Sequence, residues 1–447
     1  MNHRITSLLL KPTHGCNFNC KYCYDAEMRN QLGNLVMPMD IVEHVGKLSE
    51  GHMQQIIFHG GEPLFVGKDW YKQAFNILKR YRGDVMYEMQ SNGSLIDEEW
   101  IELFKRNSLR VGISYDFCAQ EQRGAVDVMS NIRLLKEHGI ASGCICVVTS
   151  ANVNNLREIY EQAKTETQGG SVNFNTLFRT GKTDEHNENM LASDELESGF
   201  GAFLDYYIYR PADGCFERTS EIFLSFLFGK RTNLCTYIDC RLKWIGLSPD
   251  GSIYPCDRYF SDRYRIGDIR DFSSWRSVQL SDGFSKYYDD VETRFSNHCS
   301  KCHFFYVCGG GCNGTHFALT GQLHDVGQTV CDQFYALYGI VYDKMRTADI
   351  SSGPINPNIA DKVKRSGGIS LNQIYEFIYN SLGYGYPLQY DGVKSFADSL
   401  EYKLFRIFNP FADSDDSGHQ TLHDAYLRNK NEIDRLLLQN KAWAESY

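Results

Sequence analysis

The sequence lacks the features that direct a protein to a membrane. Its 447 residues contain no run of eighteen apolar residues, and the amino terminus has no charged stretch followed by an apolar segment. A transmembrane helix needs about 20 predominantly apolar residues, and a secretory signal needs that charged-then-apolar order. We therefore expect a cytoplasmic protein with no membrane partner.

An excess of basic residues is also missing. The chain has 46 Lys and Arg against 56 Asp and Glu, a formal net charge of −10. Nucleic-acid binding relies on a basic surface. The charge balance therefore predicts no nucleic-acid partner and argues against RNA-modifying enzymes.

Cysteine, in contrast, is abundant, with fifteen in the chain. In a reducing compartment so many cysteines indicate metal ligation rather than disulfides. A composition that is 42% hydrophobic and 13% aromatic indicates a folded chain. Its length predicts two or three domains.

Two short motifs near the amino terminus carry chemistry. Cys16, Cys20 and Cys23 in HGCNFNCKYCYD are spaced to give one iron-sulfur cluster three thiolates and leave its fourth iron open. A zinc knuckle or redox pair is the alternative for such cysteines.

The segment IIFHGGEPL places Gly60, Gly61 and Glu62 after the next strand-like run. There the glycines let the backbone approach a ligand, and Glu62 can accept from a cationic amine.

Together, CxxxCxxC followed by Tyr24 and the GGE segment resemble the signature of the radical S-adenosylmethionine (SAM) superfamily. The resemblance implies that SAM occupies the open iron and is cleaved to a 5'-deoxyadenosyl radical, which abstracts hydrogen from an unactivated carbon. It also implies that Tyr22 and the GGE residues bind this cofactor. A flavodoxin- or ferredoxin-type protein would donate the electron.

Strand-like and helix-like segments alternate through the first 177 residues, which predicts a parallel α/β sheet. Helices are expected at 97–106 and 126–138. The expected strands are 5–12, 54–60, 85–91, 110–116, 142–149 and 171–177. The family resemblance implies that this sheet forms a partial (β/α)6 barrel with its cofactors at the carboxyl ends of the strands.

Polar residues follow two of these strands. Ser91 and Asn92 suit ribose hydroxyls and the methionine carboxylate of SAM, Ser114 ends the next strand, and Arg123 is a possible carboxylate partner. Each of them can equally be a helix cap or a turn residue.

A second, denser cysteine set resembles the SPASM domain, the auxiliary-cluster module of radical SAM enzymes that modify peptides and proteins. The segments CRLKWIGLSPDGSIYPC and CSKCHFFYVCGGGC carry this resemblance. The implied ligands are Cys235, Cys240, Cys256 and Cys312 for auxiliary 4Fe-4S cluster I, and Cys299, Cys302, Cys308 and Cys331 for auxiliary cluster II. The chain would then hold three 4Fe-4S clusters. Alternatively, the two auxiliary clusters have only a structural role and stabilise the fold of a small domain.

Asp257, directly after Cys256, occupies the position of a proton-accepting aspartate in anaerobic sulfatase-maturating enzymes. It is a candidate catalytic base. The alternative is a loop anchor that pairs with Arg258, Arg263 or Arg265.

Four domains are expected: a barrel at 1–200, a linking helical element at 201–234, a SPASM domain at 235–345 and a mainly helical extension at 346–447. The stretch 195–229 reads as helical, and further helices are expected near 371–382 and 422–444. The extension either holds part of a peptide substrate or caps the SPASM domain. We expect no leader-binding domain before the barrel.

The sequence therefore predicts a radical SAM/SPASM oxidoreductase that acts on a precursor peptide or protein. Intramolecular crosslinking to a cyclophane or thioether is the leading chemistry, and formylglycine formation on a sulfatase is the close alternative. A small-molecule dehydrogenase and a non-catalytic iron-sulfur electron carrier are the other hypotheses.

Overall fold

The computed structural model describes residues 5–49, 53–81, 83–124, 126–167, 170–177, 191–209, 215–227, 232, 234–258, 262–302, 304–347 and 422–445. Its central element is a sheet with the strand order β10-β9-β8-β1-β2-β3-β4-β5-β6-β7. The strands are β1 Ser7–Leu10, β2 Gln55–Phe58, β3 Met86–Ser91, β4 Arg110–Ser114, β5 Ser142–Val148, β6 Ser171–Thr176, β7 Phe216–Glu217, β8 Trp244–Leu247, β9 Ser252–Tyr254 and β10 Gly267–Asp268.

The predicted α/β class is confirmed by the first six strands. They pair in parallel and in sequence order, from β1 beside β2 to β5 beside β6. Parallel sheets are covered by helices on their faces, which explains why these strands read as short apolar runs. Because all six strands run the same way, the loops that leave them meet at one edge.

Helices separate the strands and continue beyond them. Asp97 caps the helix predicted at 97–106, since its carboxylate accepts from the backbone N–H of Trp100. The helix predicted at 126–138 begins three residues later than expected. The helices are α1 Ala26–Leu32, α2 Met39–Ser49, α3 Lys68–Tyr81, α4 Glu98–Arg106, α5 Met129–Glu137, α6 Leu156–Glu166, α7 Ser193–Tyr209, α8 Arg218–Leu227, α9 Trp275–Gln279, α10 Asp282–Asn297, α11 Phe305–Cys308, α12 Asn313–Thr320, α13 Gln328–Thr347 and α14 Leu422–Glu445.

An aromatic cluster fixes the strand that leads into the GGE segment. Phe58 at the end of β2 packs against Trp70, Tyr71 and Phe75 of α3, with ring centroids 5.1–6.3 Å from that of Phe58. Each such aromatic pair stabilises the fold by about 0.5–1.5 kcal/mol in addition to the contribution from buried apolar surface. Residues 59–62 therefore leave the sheet from a rigid anchor.

The stretch predicted as helical at 195–229 is interrupted. The strand β7 lies between α7 and α8 and pairs with β6. The buried carboxylate of Glu217 accepts from the backbone N–H groups of Phe174, Thr219 and Ser220. This residue joins the edge of the sheet to the start of α8, so a continuous helix is the wrong prediction. The polar loop at 178–190 lies outside the described residues.

The cysteine-rich segment continues the same sheet. β8 pairs in parallel with β1 on the side away from β2, and β9 and β10 follow in antiparallel pairing. Gly246 on β8 allows a close approach, since an added Cβ would lie 2.8 Å from the backbone of Cys256. The residues that follow β9 are thereby brought against the loop that follows β1. The four domain ranges stay predictions.

The helix predicted at 422–444 is confirmed as α14, where Ile433 and Leu437 are buried in the core. The helix predicted near 371–382 lies outside the described residues, as do the linker segments before it. Within the described part of the chain, no helix is long and apolar enough to cross a membrane.

Candidate active site

Cys16, Cys20 and Cys23 lie on the loop between β1 and α1, and all three are partly buried. The Phe18 backbone N–H donates to Cys16 Sγ at 3.3 Å, and the Cys23 N–H donates to the Cys20 carbonyl at 3.3 Å. Burial raises the pKa of the Cys16 thiol to about 11, and the other two thiols add to this by mutual repulsion. Three thiolates at this place need a positive partner, and iron in a cluster is such a partner.

The GGE segment packs closely against the backbone of this loop. A Cβ on Gly60 would lie 2.4 Å from the Thr13 carbonyl, and one on Gly61 would lie 2.3 Å from the His14 carbonyl. Gly60 also has φ +126°. The glycines were expected to admit a ligand, and the structure shows that they admit the backbone of the cysteine loop.

The Glu62 carboxylate is fully buried and serves as an organising centre. One oxygen accepts from Ser91 Oγ at 2.9 Å and from the Leu64 N–H at 3.0 Å, and the other accepts from the Asn92 N–H at 2.7 Å. Burial raises its pKa, although these donors oppose the shift. Glu62 thus ties the ends of β2 and β3 together. Its predicted contact with a cationic amine stays a prediction.

Asn92 and Ser114 lie at the neighbouring strand ends. Asn92 Oδ1 accepts from the N–H of Ser94 in a local turn, while its Nδ2 donates to Asn17 and lies 4.0 Å from Cys16 Sγ. The turn interpretation therefore holds for Asn92, and its contact with SAM stays a prediction. Ser114 Oγ accepts from Gln90 Nε2 at 2.8 Å.

Tyr22 and Arg123 meet beside the cysteine loop. The Tyr22 hydroxyl donates to the carboxylate of Asp116, and Arg123 Nη1 donates to the Tyr22 oxygen at 3.2 Å. Arg123 is buried, and its Nε has no hydrogen-bond partner among the described residues. A buried cationic donor without an acceptor fits an anionic group, and the carboxylate of SAM is one.

A buried polar network joins the cysteine loop to the cysteine-rich segment. Lys11 Nζ donates to Asp25 Oδ1 at 2.6 Å and to the Asp257 carbonyl at 3.1 Å. His14 contacts Asp25 Oδ2 at 2.8 Å through Nδ1 and Ser248 Oγ at 3.2 Å through Nε2. Asp25 follows Cys23 by two residues, so the network orients the loop from inside the protein.

Asp257 contacts residues that the sequence did not single out as its partners. Its Oδ2 accepts from the Tyr24 hydroxyl at 3.1 Å and lies 3.3 Å from His59 Nδ1. The Tyr24 oxygen lies 3.1 Å from that same nitrogen. The three groups, which we call the Asp257 cluster, lie where the loops after β1, β2 and β9 meet.

The expected arginine partners of Asp257 have other contacts. Arg265 donates to Ser252 Oγ at 3.0 Å, and Arg263 faces Asp290 at 3.7 Å. Arg258 Nη1 points to Cys312 Sγ at 3.8 Å. Arg258 nevertheless acts on Asp257 through its charge. The loop-anchor hypothesis therefore keeps Arg258 and adds Tyr24 and His59 as partners of Asp257.

Charge keeps the Asp257 carboxylate ionised. Burial alone would raise its pKa, but the charges of His59, Lys11 and Arg258 outweigh burial and lower the pKa to about 2. Burial lowers the pKa of His59. The charge of Asp257 opposes this shift. The His59 side chain is 24% exposed.

The later cysteines form two groups. In the first, Cys235, Cys240, Cys256 and Cys312 lie within electrostatic reach of one another. In the second, Cys299, Cys302, Cys308 and Cys331 line one cavity of about 710 Å³. Four thiols around a cavity suit a 4Fe-4S cluster. Among the described residues, no three His, Cys, Asp or Glu side chains are grouped to hold a single metal ion.

None of the fifteen cysteines forms a disulfide. Cys144 and Cys146 of β5 are buried, as expected for small apolar residues, and Cys215 is buried too. Cys118 is exposed. None of these four belongs to the three groups.

A family model described as the Radical SAM superfamily matches residues 10–163, the stretch that holds the cysteine loop and the GGE segment. The chain carries a radical SAM domain. As a radical SAM enzyme it uses SAM and a 4Fe-4S cluster. That Cys16, Cys20 and Cys23 hold the cluster, and that Gly60–Glu62 and Arg123 bind SAM, stay predictions.

Known relatives extend the comparison beyond the radical SAM domain. The cysteine-type anaerobic sulfatase-maturating enzyme of Clostridium novyi (strain NT) is 27% identical over 329 residues, which cover 68% of this chain and 87% of that protein. Native anSMEcpe with bound AdoMet and Cp18Cys peptide superposes with a TM-score of 0.63 at 21% identity, covering 76% of this chain and 98% of that one. Streptococcus suis SuiB bound to the precursor peptide SuiA gives 0.54 at 13% identity, covering 74% and 76%. The two solved structures show the shared fold.

Glu62→Gln is expected to lower both stability and SAM affinity. A glutamine amide places an NH₂ group where the chain presents N–H donors, so at least one buried donor loses its acceptor. This costs about 1–3 kcal/mol. Denaturant unfolding and equilibrium SAM binding measure the two effects, with Glu102→Gln on the exposed face of α4 as the control. Unchanged stability would remove Glu62 from its organising role.

Proposed function

We propose that this radical SAM enzyme oxidises a residue of a ribosomally made peptide or a protein and closes an intramolecular crosslink, a cyclophane or a thioether. The observation that carries the proposal is the Asp257 cluster, a proton-accepting group beside the predicted SAM residues. When bound, SAM with the cluster on Cys16, Cys20 and Cys23 supplies hydrogen-atom abstraction, and the auxiliary clusters supply an acceptor for the remaining electron.

Crosslinking removes two hydrogens from the peptide, one as an atom and the other as a proton. The Asp257 carboxylate is charged and directed by Tyr24 and His59, so it accepts this proton. A proton on His59 Nδ1 satisfies the contacts of the cluster, because Nδ1 then donates to the Tyr24 oxygen while the Tyr24 hydroxyl donates to Asp257.

Two considerations support a peptide substrate. Both structural neighbours were solved with peptides bound. The acidic composition does not favour a nucleic acid. A cytoplasmic flavodoxin- or ferredoxin-type donor would supply the electron for SAM cleavage.

Formylglycine formation is the second candidate. It is favoured by the similarity to a sulfatase-maturating enzyme over 329 residues. It also needs a proton acceptor beside the oxidised cysteine or serine, and the Asp257 cluster provides one equally well.

One assay separates the two products. The reconstituted enzyme is incubated with SAM and dithionite and either the Cp18Cys peptide or peptides encoded by short reading frames beside its gene. We expect a product that has lost two hydrogens and does not react with a hydrazide reagent. A hydrazide-reactive product would instead establish formylglycine. If every peptide returns unmodified while SAM is cleaved, the peptide-maturase proposal is wrong.

A further inference from the structure

Arg294 of α10 is a buried cation in the cysteine-rich segment. Its side chain has no exposed surface. Nη1 donates to the Leu323 carbonyl at 2.8 Å, and Nη2 donates to Asn313 Oδ1. Both acceptors are uncharged, and Nε has no hydrogen-bond partner within the described part of the chain. No salt bridge between Arg294 and a described carboxylate is present.

Arg241 shows how the same segment compensates another buried guanidinium. Its side chain is only 2% exposed, and it contacts Asp239 and Glu292, each at 2.7 Å. A buried charge without such a partner costs several kcal/mol, and arginine does not escape the cost by losing its proton. Arg294 therefore requires an anion of another kind.

Arg294 interacts with sulfur atoms from both cysteine groups, and these sulfurs are anionic when the cysteines are thiolates. Arg294 interacts electrostatically with Cys299 and Cys331 of the second group and with Cys240 of the first. Asn313, which accepts from Arg294, donates from Nδ2 to Cys240 Sγ at 3.6 Å. The Arg294–Asn313 pair thus connects the two groups.

His316, an ionisable side chain close to this pair, adds no positive charge. His316 Nε2 lies 3.0 Å from the Gly310 carbonyl, and the Gly327 N–H donates to Nδ1. Burial, together with the charge of Arg294, lowers the pKa of His316 to about 3. His316 is therefore neutral. Arg258 faces Cys312 of the first group, whereas Arg294 interacts with cysteines of both groups.

We propose that Arg294 is a counter-charge shared by the two auxiliary iron-sulfur clusters and that it raises the reduction potential of both. A cluster becomes more negative by one charge on reduction, so a buried cation stabilises the reduced form more than the oxidised form. The inference rests on the ligand sets proposed for these clusters.

The test uses the full-length chain with Cys16, Cys20 and Cys23 replaced by Ala, so that only the auxiliary clusters contribute. Potentiometric titration followed by electron paramagnetic resonance is run on this background and on Arg294→Gln, Arg294→Lys and Lys286→Gln. Lys286 is exposed on the same helix and controls for the loss of one charge at the surface. Iron is measured on every preparation.

Arg294→Gln is expected to shift the reduction equilibrium of both clusters about tenfold or more toward the oxidised form, which is about 59 mV for a one-electron couple. Arg294→Lys and Lys286→Gln should stay near the background values. If Arg294→Gln loses iron while Arg294→Lys keeps it, the need for the charge is supported as well.

Other outcomes overturn the inference. Unchanged potentials with full iron would show that Arg294 is not a counter-charge, and a shift in one cluster alone would show that it is not shared. Equal iron loss in the Gln and Lys variants would assign Arg294 a role in shape rather than charge. A background protein without about eight irons would instead refute the proposed ligand sets.

Discussion

Asp257→Asn is expected to leave peptide-dependent formation of 5'-deoxyadenosine intact while lowering the yield of modified peptide about 10²–10⁴-fold. The asparagine amide keeps the size of the side chain but has no carboxylate to accept a proton. Hydrogen abstraction precedes this proton loss, so SAM cleavage continues without product. Mass spectrometry of the peptide and quantification of 5'-deoxyadenosine in the same reaction measure the two effects.

Tyr24→Phe is the matched control, since it removes one hydrogen bond to Asp257 and leaves the carboxylate in place. We expect a smaller loss of product than in Asp257→Asn. If Asp257 is only a loop anchor, its replacement instead disturbs the adjacent Cys256 and lowers auxiliary iron. Normal product with full iron in Asp257→Asn would exclude both roles.

Replacing Cys16, Cys20 and Cys23 together by Ala is expected to abolish SAM cleavage completely. The anaerobically reconstituted chain should contain about twelve irons, and the triple variant should retain about eight. The three thiols share one loop. The first auxiliary group instead has Cys235 and Cys240 before β8, Cys256 after β9 and Cys312 after α11, and the second group lines the cavity beside α11 and α13. The auxiliary sites therefore fold without the first cluster.

Iron analysis and 5'-deoxyadenosine formation with dithionite check this expectation. A wild-type chain with iron for a single cluster would refute the auxiliary assignments. A triple variant that still cleaves SAM would refute the assignment of Cys16, Cys20 and Cys23.

Local patterns in the sequence were sufficient to predict the parallel sheet. The six apolar runs became six strands in sequence order because a parallel strand is buried on both faces and needs a continuous apolar segment. The helix at 97–106 was equally readable from its amphipathic pattern. The break at β7 was missed because Glu217 acts through contacts with Phe174, more than forty residues away.

The cysteines were readable for a different reason. Cys16, Cys20 and Cys23 form a short motif, as do Cys299, Cys302 and Cys308. The set Cys235, Cys240, Cys256 and Cys312 is spread along the chain, and only the family resemblance implied it. The partners of these loops leave no such trace. Lys11 and Asp257 are joined across 246 residues by the pairing of β1 with β8, which no local pattern predicts.

His59 and Arg294 illustrate the two kinds of residue that were missed. His59 directly precedes Gly60 at the end of an apolar strand. That position was enough to indicate that His59 lies near the predicted cofactor site. Arg294 lies in the middle of an amphipathic helix, where an arginine normally reads as a solvent contact. Only its burial and its uncharged partners reveal a role.

An isotope experiment tests whether this radical SAM enzyme takes hydrogen from a residue of a peptide. A peptide that the enzyme consumes is prepared with deuterium on the side-chain carbons of its cysteine, serine and aromatic residues, and 5'-deoxyadenosine is analysed by mass spectrometry. We expect one deuterium in 5'-deoxyadenosine and the loss of one deuterium from the product peptide. Unlabelled 5'-deoxyadenosine, formed at the same rate with and without the peptide, would contradict it.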